Sequence, residues 1–165
     1  MHPLKPWTLS LLLAAATAVV APAVLAATPA GHDHAAASHT QLTLDHGRPW
    51  GTDATLRDGM GRIRGLVADA LPDAHAGRLD ATESAALAGR IEQEVANIVA
   101  NCKLEPQADA MLHLVIAQIA GGVDTLAGKT PDATAPQGLV RIAGAVNDYG
   151  RFFDHPGFTP IRLQD

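Results

Sequence analysis

Four stretches of the chain carry apolar residues at the three- and four-residue steps of an α-helix, each bounded by start and stop signals. In the first, Leu56, Met60, Ile63, Val67 and Ala70 share one face, with Thr52 or Asp53 as the cap and Pro72 as the stop. The second opens on Asp80, three positions before Glu83, in the manner of a capping box, and its stripe is Ala88, Ile91, Val95, Ile98 and Cys102. Pro106 suits the first position of the third helix, whose face is Ala108, Leu112, Val115, Ile119, Gly122 and Leu126. The fourth begins near Pro136 and uses Leu139, Ile142, Ala143, Val146, Tyr149 and Phe153; Pro156 and Gly157 end it, because a residue before proline is pushed out of helical geometry.

Each pattern is roughly eighteen to twenty-two residues long and the connections are short, which makes successive helices antiparallel neighbours. The fold class expected is therefore all-α: an up-down-up-down four-helix bundle, spanning residues 50–165. Few aromatics and abundant alanine also favour helix over sheet. The pair Gly121-Gly122 inside the third helix permits either a close helix approach or a bend.

Ahead of the bundle, residues 1–26 read as a signal peptide. His2 and Lys5 make a short basic start, Trp7 to Val20 is apolar, and Val24-Leu25-Ala26 offers a cleavage site. The apolar run is short for a spanning helix, and Pro22 interrupts its end, so no membrane segment is expected after cleavage. Export to the periplasm follows as the expected localisation. Removing 26 of the 165 residues leaves 139, enough for one domain with a core. It also removes Lys5, taking the net charge from −5 to −6. Arg57, Arg62 and Arg64 lie on one helix while Arg90 and Arg141 lie on others, so no basic cluster tracks phosphates and nucleic acid is not an expected partner.

Residues 27–49 read as a flexible leader followed by a short arm. The leader holds His32, His34 and His39 in Gly-His-Asp-His and Ser-His-Thr contexts; such tracts bind metal weakly, or else serve only as solvated linker. Gln41-Leu42-Thr43-Leu44 alternates and suits an extended arm, and Trp50, set among Gly47, Pro49 and Gly51, is placed to pin that arm to the bundle.

Candidate chemistry concentrates in Asn101-Cys102-Lys103-Leu104-Glu105-Pro106 with Asp109, Met111 and His113. Thiolate, thioether and imidazole form a soft donor set suited to copper or zinc. Cys102 is the only cysteine, so in an exported chain its thiol is buried, pairs with another molecule (a homodimer among the options), or binds something. The bundle topology brings the start of the first helix, the end of the second, the start of the third and the end of the fourth to one pole. Met60, Cys102, Met111, His113 and His155 are all expected there. Asp109 and His113, four residues apart, touch on a helix surface, and such a carboxylate orients an imidazole for a metal. Met111 and His113 differ by about 200° around the axis, and His113 is expected to be the one turned toward the site. Packing alternatives stand beside each: Met60 as core, Cys102 as a small hydrophobe, His113 as part of a polar network, His155 as an anchor for the chain terminus.

The segments Leu56-Arg57-Asp58-Gly59-Met60-Gly61-Arg62-Ile63-Arg64, Asn101-Cys102-Lys103-Leu104 with Asp109 and His113, and Tyr149-Gly150 with Phe153-Asp154-His155-Pro156-Gly157 resemble a group of small exported proteobacterial proteins loosely called DnrO-like. The likeness runs from about Trp50 to Phe158. It implies the helical fold, the exported compartment and a link to copper handling. A weaker likeness is to soluble b-type cytochrome bundles. It implies Met60 and His155 as axial ligands to haem b, but His155 directly precedes a proline and Cys102 has no counterpart role. No Cys-x-x-Cys-His is present for covalent haem attachment.

Three function classes follow: a periplasmic protein that sequesters or carries a metal ion, copper rather than zinc, through Cys102, His113, Met60, His155 and the orienting Asp109; a b-type haem electron carrier; and a ligand-free adaptor with a protein partner. An enzyme is not expected. Cys102 and His113 lack any accompanying glycine-rich loop, serine elbow or paired loop carboxylates, and a thiol oxidoreductase normally carries a second cysteine.

Overall fold

A computed structural model describes residues 41–163. The expected signal peptide and the leader histidines His32, His34 and His39 lie outside those residues. Four helices follow one another: α1 (Ala54–His75), α2 (Ala81–Asn101), α3 (Pro106–Leu126) and α4 (Ala135–Phe152). Each packs on its sequential neighbours, and α4 closes against α1. The result is the all-α four-helix bundle that the periodicity predicts, with only isolated β-bridges among the described residues.

The helix ends are fixed by local chemistry. Asp53 caps α1, its Oδ1 accepting from the Leu56 N–H at 2.7 Å. Asp80 and Glu83 form the reciprocal capping box of α2. Thr134 and Gln137 do the same for α4, and Pro106 and Pro136 occupy first-turn positions where a missing N–H costs no helical bond. Pro72 does not stop α1, contrary to the sequence expectation: the helix runs a further turn to His75. The ring of Pro72 is exposed, while Leu71 and Ala74 are buried, so the extra turn lengthens the core contact.

The inner faces match the apolar stripes closely in α3 and α4. In α1 the stripe is joined by Gly59, Leu71 and Ala74, with Ala70 only half-buried. In α2, Val95 and Cys102 are half-buried rather than core. Glycines set two helix contacts: a methyl on Gly59 would lie 2.5 Å from Ile98 Cγ1, and one on Gly122 would lie 2.6 Å from Ile142 Cγ1. Gly122 thus serves close approach.

The described arm residues pack on the bundle, with Leu42 and Trp50 against the core. Asp45 and Arg48 exchange two backbone hydrogen bonds of 2.9 Å around His46 (φ 48°) and Gly47 (φ 83°), the two positive φ values of a tight hairpin turn. Trp50 pins the arm: its indole Nε1 donates to the Thr43 carbonyl at 2.5 Å. Its backbone N–H donates to Phe152 and its carbonyl accepts from Asp154, each at 2.8 Å. Beyond α4, Pro156 and Gly157 (φ 78°) form a turn closed by the Phe158 N–H on the His155 carbonyl at 3.0 Å. The tail then folds back, Phe158 lying directly on Gly150 and Ile161 held by both amide atoms of Asn147.

Candidate functional site at the bundle pole

The pole where α1 starts, α2 ends, α3 starts and α4 ends is tied together by one carboxylate and by the arm segment around Trp50. Asp53 uses both oxygens. Oδ1 caps α1, and Oδ2 accepts from the Lys103 N–H at 2.6 Å, fastening α1 to the α2–α3 link. Trp50 bridges to the end of α4, and the Thr52 hydroxyl donates to the Asp154 carbonyl at 2.6 Å. Arg57 Nη1 returns to the Thr52 carbonyl and hydroxyl, each at 2.9 Å. The convergence of four helix ends expected from topology is therefore present.

The donors do not converge as one cluster. On the α2–α3 side, Cys102 is the C-cap of α2, extended at φ −71° and ψ 151°, and half-buried. Burial raises its thiol pKa first, and the nearby carboxylates of Asp53 and Asp109 raise it further. Asp109 also reaches His113: its Oδ2 lies 3.5 Å from the ring Nδ1. That Nδ1 lies 2.9 Å from the Asp109 carbonyl, which can only accept, so Nδ1 carries the proton. In the neutral ring the remaining lone pair is then on Nε2. Asp109 thus touches His113 directly and acts on the Cys102 thiol through its charge.

On the α4–α1 side, Tyr149 is fully buried and its hydroxyl meets His155 Nδ1 at 3.0 Å. Burial pushes the tyrosine pKa well up, with Asp53 and Asp154 adding to the shift and Arg57 opposing it. Burial also lowers the His155 pKa, as does Arg57, while Asp58 works the other way. Tyr149 stacks on Phe153 at 5.2 Å, and Phe158 closes the group edge-on at 5.6 Å.

Two expectations of direction are corrected. Met111, not His113, faces inward: Met111 is 1% exposed, and its sulfur accepts from the Thr43 hydroxyl at 3.7 Å beneath the arm. The His113 side chain is 58% exposed. Met111 lies three residues after Ala108 and four before Val115, so it shares their buried face, and His113 falls outside it. His155, expected beside Cys102, instead faces Tyr149, Arg57 and Asp58. Among the described residues no group of three or more His, Cys, Asp or Glu side chains is arranged to hold a metal ion.

For haem the residues do not fit. Met60 is wholly buried in the apolar core, and neither Met60 nor His155 lines any of the larger clefts among the described residues. Their axial roles have no shared space to act in.

Sequence reasoning marked Asp53 as a cap but not as the clasp of Lys103, since the second acceptor depends on tertiary packing. Tyr149 was visible only as a stripe position. It is the only tyrosine, and a hydroxyl on a buried face calls for a partner, which was the available signal. A cleft of about 640 Å³ beside this pole, lined by Trp50, Thr52, Lys103, Leu104 and Glu105 among others, has no sequence signature.

Fold and pole together define a small all-α bundle module with an open, donor-bearing end. Comparison of the chain with protein-family models, with curated proteins and with solved structures gives no match. None of the helices of the described residues is long and apolar enough to cross a membrane.

Proposed function

We propose that the protein is an exported, non-catalytic metal-capture module that binds a soft ion, copper in preference to zinc, at the surface patch of Cys102 and His113. The observation that carries this reading is the orientation of His113. Its Nδ1–H is committed to the Asp109 carbonyl, which leaves Nε2, on a 58% exposed side chain, as the free donor. A second-sphere bond of this kind is the usual way an imidazole ligand is aimed. The half-buried thiol of Cys102 lies in the field of Asp53 and Asp109, which favours an arriving cation. Two protein donors suit a linear soft-metal complex, and a further donor can come from outside the bundle. His39 precedes Thr43 by four residues, a span of at most about 14 Å, and Thr43 touches Met111 on α3. Met60 and His155 are not needed as ligands.

Titration with copper(I) and with zinc tests this. Wild type should bind copper(I) at least tenfold more tightly than Cys102→Ala and His113→Ala, and replacing His32, His34 and His39 together should weaken capture by less. Equal, weak binding by wild type and both single variants would remove the reading.

A second reading, a docking module for a protein partner, is favoured by the cleft of about 640 Å³ between the arm and the α2–α3 link. Its lining includes the exposed Lys103 and Glu105 and the half-buried Asp45. A periplasmic partner retained after chelation, and released by Lys103→Glu, would favour this reading over metal capture.

A further inference from the structure

A second cleft, away from the Cys102 pole, runs along the C-terminal half of α1 and has a volume of about 660 Å³. One wall is the α1 face that presents Arg64, Ala68, Leu71, Pro72 and His75, positions at the steps of a single helical surface. The other wall is the returning tail, Thr159 to Arg162. The tail is fixed in place. Asn147 Oδ1 accepts from the Ile161 N–H at 2.7 Å and its Nδ2 donates to the Ile161 carbonyl at 2.9 Å, while Arg64 Nε donates to the Thr159 carbonyl. Both walls are therefore preformed.

The lining has an unusual charge balance for this chain. The protein carries a net charge of −5, yet this cleft is lined by Arg64, Arg162 and His75 with no carboxylate. The four other clefts described each include at least one Asp or Glu. Among the described residues neither Arg64 nor Arg162 is paired with a carboxylate, as is also true of Arg57, Arg90, Lys103, Arg141 and Arg151, so both keep their charge for a ligand. Because Nε of Arg64 is spent on Thr159, its two terminal nitrogens keep their donors. The rest of the lining is largely apolar, with Ala68, Leu71, Pro160 and the buried Ile161.

We propose that this cleft binds an amphipathic organic anion: a carboxylate head held by Arg64 and Arg162, with a short aliphatic chain laid over Leu71 and Ile161. Guanidinium groups recognise carboxylates through paired charge-assisted hydrogen bonds. The C-terminal end of α1 carries the negative pole of its helix dipole near His75, so the head group belongs with the arginines and the chain extends away from them. The site is separate from the Cys102 patch and does not depend on metal capture.

Calorimetry with decanoate, acetate and decyltrimethylammonium tests the proposal on the purified protein, with methyl NMR to locate binding. Decanoate should bind at least tenfold more tightly than acetate, which lacks the chain, and than decyltrimethylammonium, which reverses the head charge. Shifts should centre on Ala68, Leu71 and Ile161. Arg162→Gln should weaken decanoate about tenfold, the loss of roughly one charge-assisted hydrogen bond, and Arg162→Lys should retain most of the affinity. Arg162 makes none of the hydrogen bonds that hold the tail, so these variants report on binding rather than folding. Equal affinity for the two decyl probes, no effect of Arg162→Gln, or shifts confined to residues outside this cleft would each overturn it.

Discussion

Gly138 of α4 sits against Gly122 of α3 so closely that a methyl on Gly138 would lie 2.7 Å from the Gly122 carbonyl oxygen and closer still to the Leu126 nitrogen. Both obstacles are backbone, which cannot rotate aside as a side chain can. The two helices therefore meet at a contact only glycine allows, and this contact holds the half of the bundle from which Tyr149 and Asp109 project to the pole.

Gly138→Ala is expected to destabilise the fold by about 2 kcal/mol or more, since α3 and α4 must move apart along an otherwise packed interface. Gly144, on the same helix, has open space where a methyl would go, with nothing within 4 Å, so Gly144→Ala should stabilise by about 0.5–1 kcal/mol through backbone entropy. Urea unfolding of the pair decides the matter. Equal effects of the two changes would mean that helix approach is not set at Gly138.

Asp53 is expected to matter beyond an ordinary helix cap. Asp53→Ala removes the acceptor for the Leu56 N–H and also the acceptor for the Lys103 N–H. A loss of about 2–3 kcal/mol is expected, against about 1 for a cap alone. Asn in its place keeps one carbonyl oxygen and should recover part of the loss. Hydrogen exchange at Lys103 gives the diagnostic readout: protection there should fall in Asp53→Ala while the amides of α4 stay protected. An unchanged Lys103 amide would show that the clasp contributes nothing.

The four helices were legible because buried faces are written as three- and four-residue steps, and α3 and α4 follow their stripes residue by residue. The capping box at Asp80 and Glu83 was equally legible, since both partners are local. Pro72 misled because the lost helical bond is a local cost, while the burial of Ala74 beyond it is a tertiary gain that the local rule does not contain. The inward turn of Met111 was legible in the stripe itself: it lies three residues after Ala108 and four before Val115, both buried, whereas His113 falls off that face. The division of the pole into a Cys102–Asp109–His113 side and a Tyr149–His155 side was not legible. Topology brings helix ends together, but side-chain direction comes from helix rotation.

His155 should make stability fall on mild acidification. Burial and Arg57 hold its folded pKa below the ordinary value of about 6.5. As pH drops through that ordinary value the unfolded chain takes up the proton first, so the unfolded state binds more protons and stability declines. The decline continues until pH passes below the folded pKa, where both states are protonated and the dependence ends. Thermal unfolding between pH 7.5 and 5 measures it. His155→Gln keeps a side-chain oxygen to accept from the Tyr149 hydroxyl but does not titrate, so its unfolding temperature should fall less over the same range. Identical slopes for wild type and variant would exclude His155 as the source.

The thiol of Cys102 should be slow to alkylate at neutral pH. Burial, Asp53 and Asp109 all raise its pKa, and alkylation proceeds through the thiolate. Its rate against pH with iodoacetamide should therefore rise at higher pH than that of a free small thiol. Asp109→Asn removes one negative neighbour and should move the profile toward lower pH; Asp53 is unsuited to this role because it clasps Lys103. The sign has a consequence for capture. A thiol must lose its proton to bind a soft metal, so apparent copper(I) affinity should increase with pH, and Asp109→Asn should lessen that dependence near neutrality. The same variant leaves the Asp109 carbonyl that orients His113 in place, so a change in affinity reports on charge rather than on imidazole direction. An alkylation profile that Asp109→Asn leaves unmoved would show that this carboxylate does not act on the thiol, and would break the link between Cys102 and His113 on which the metal patch depends.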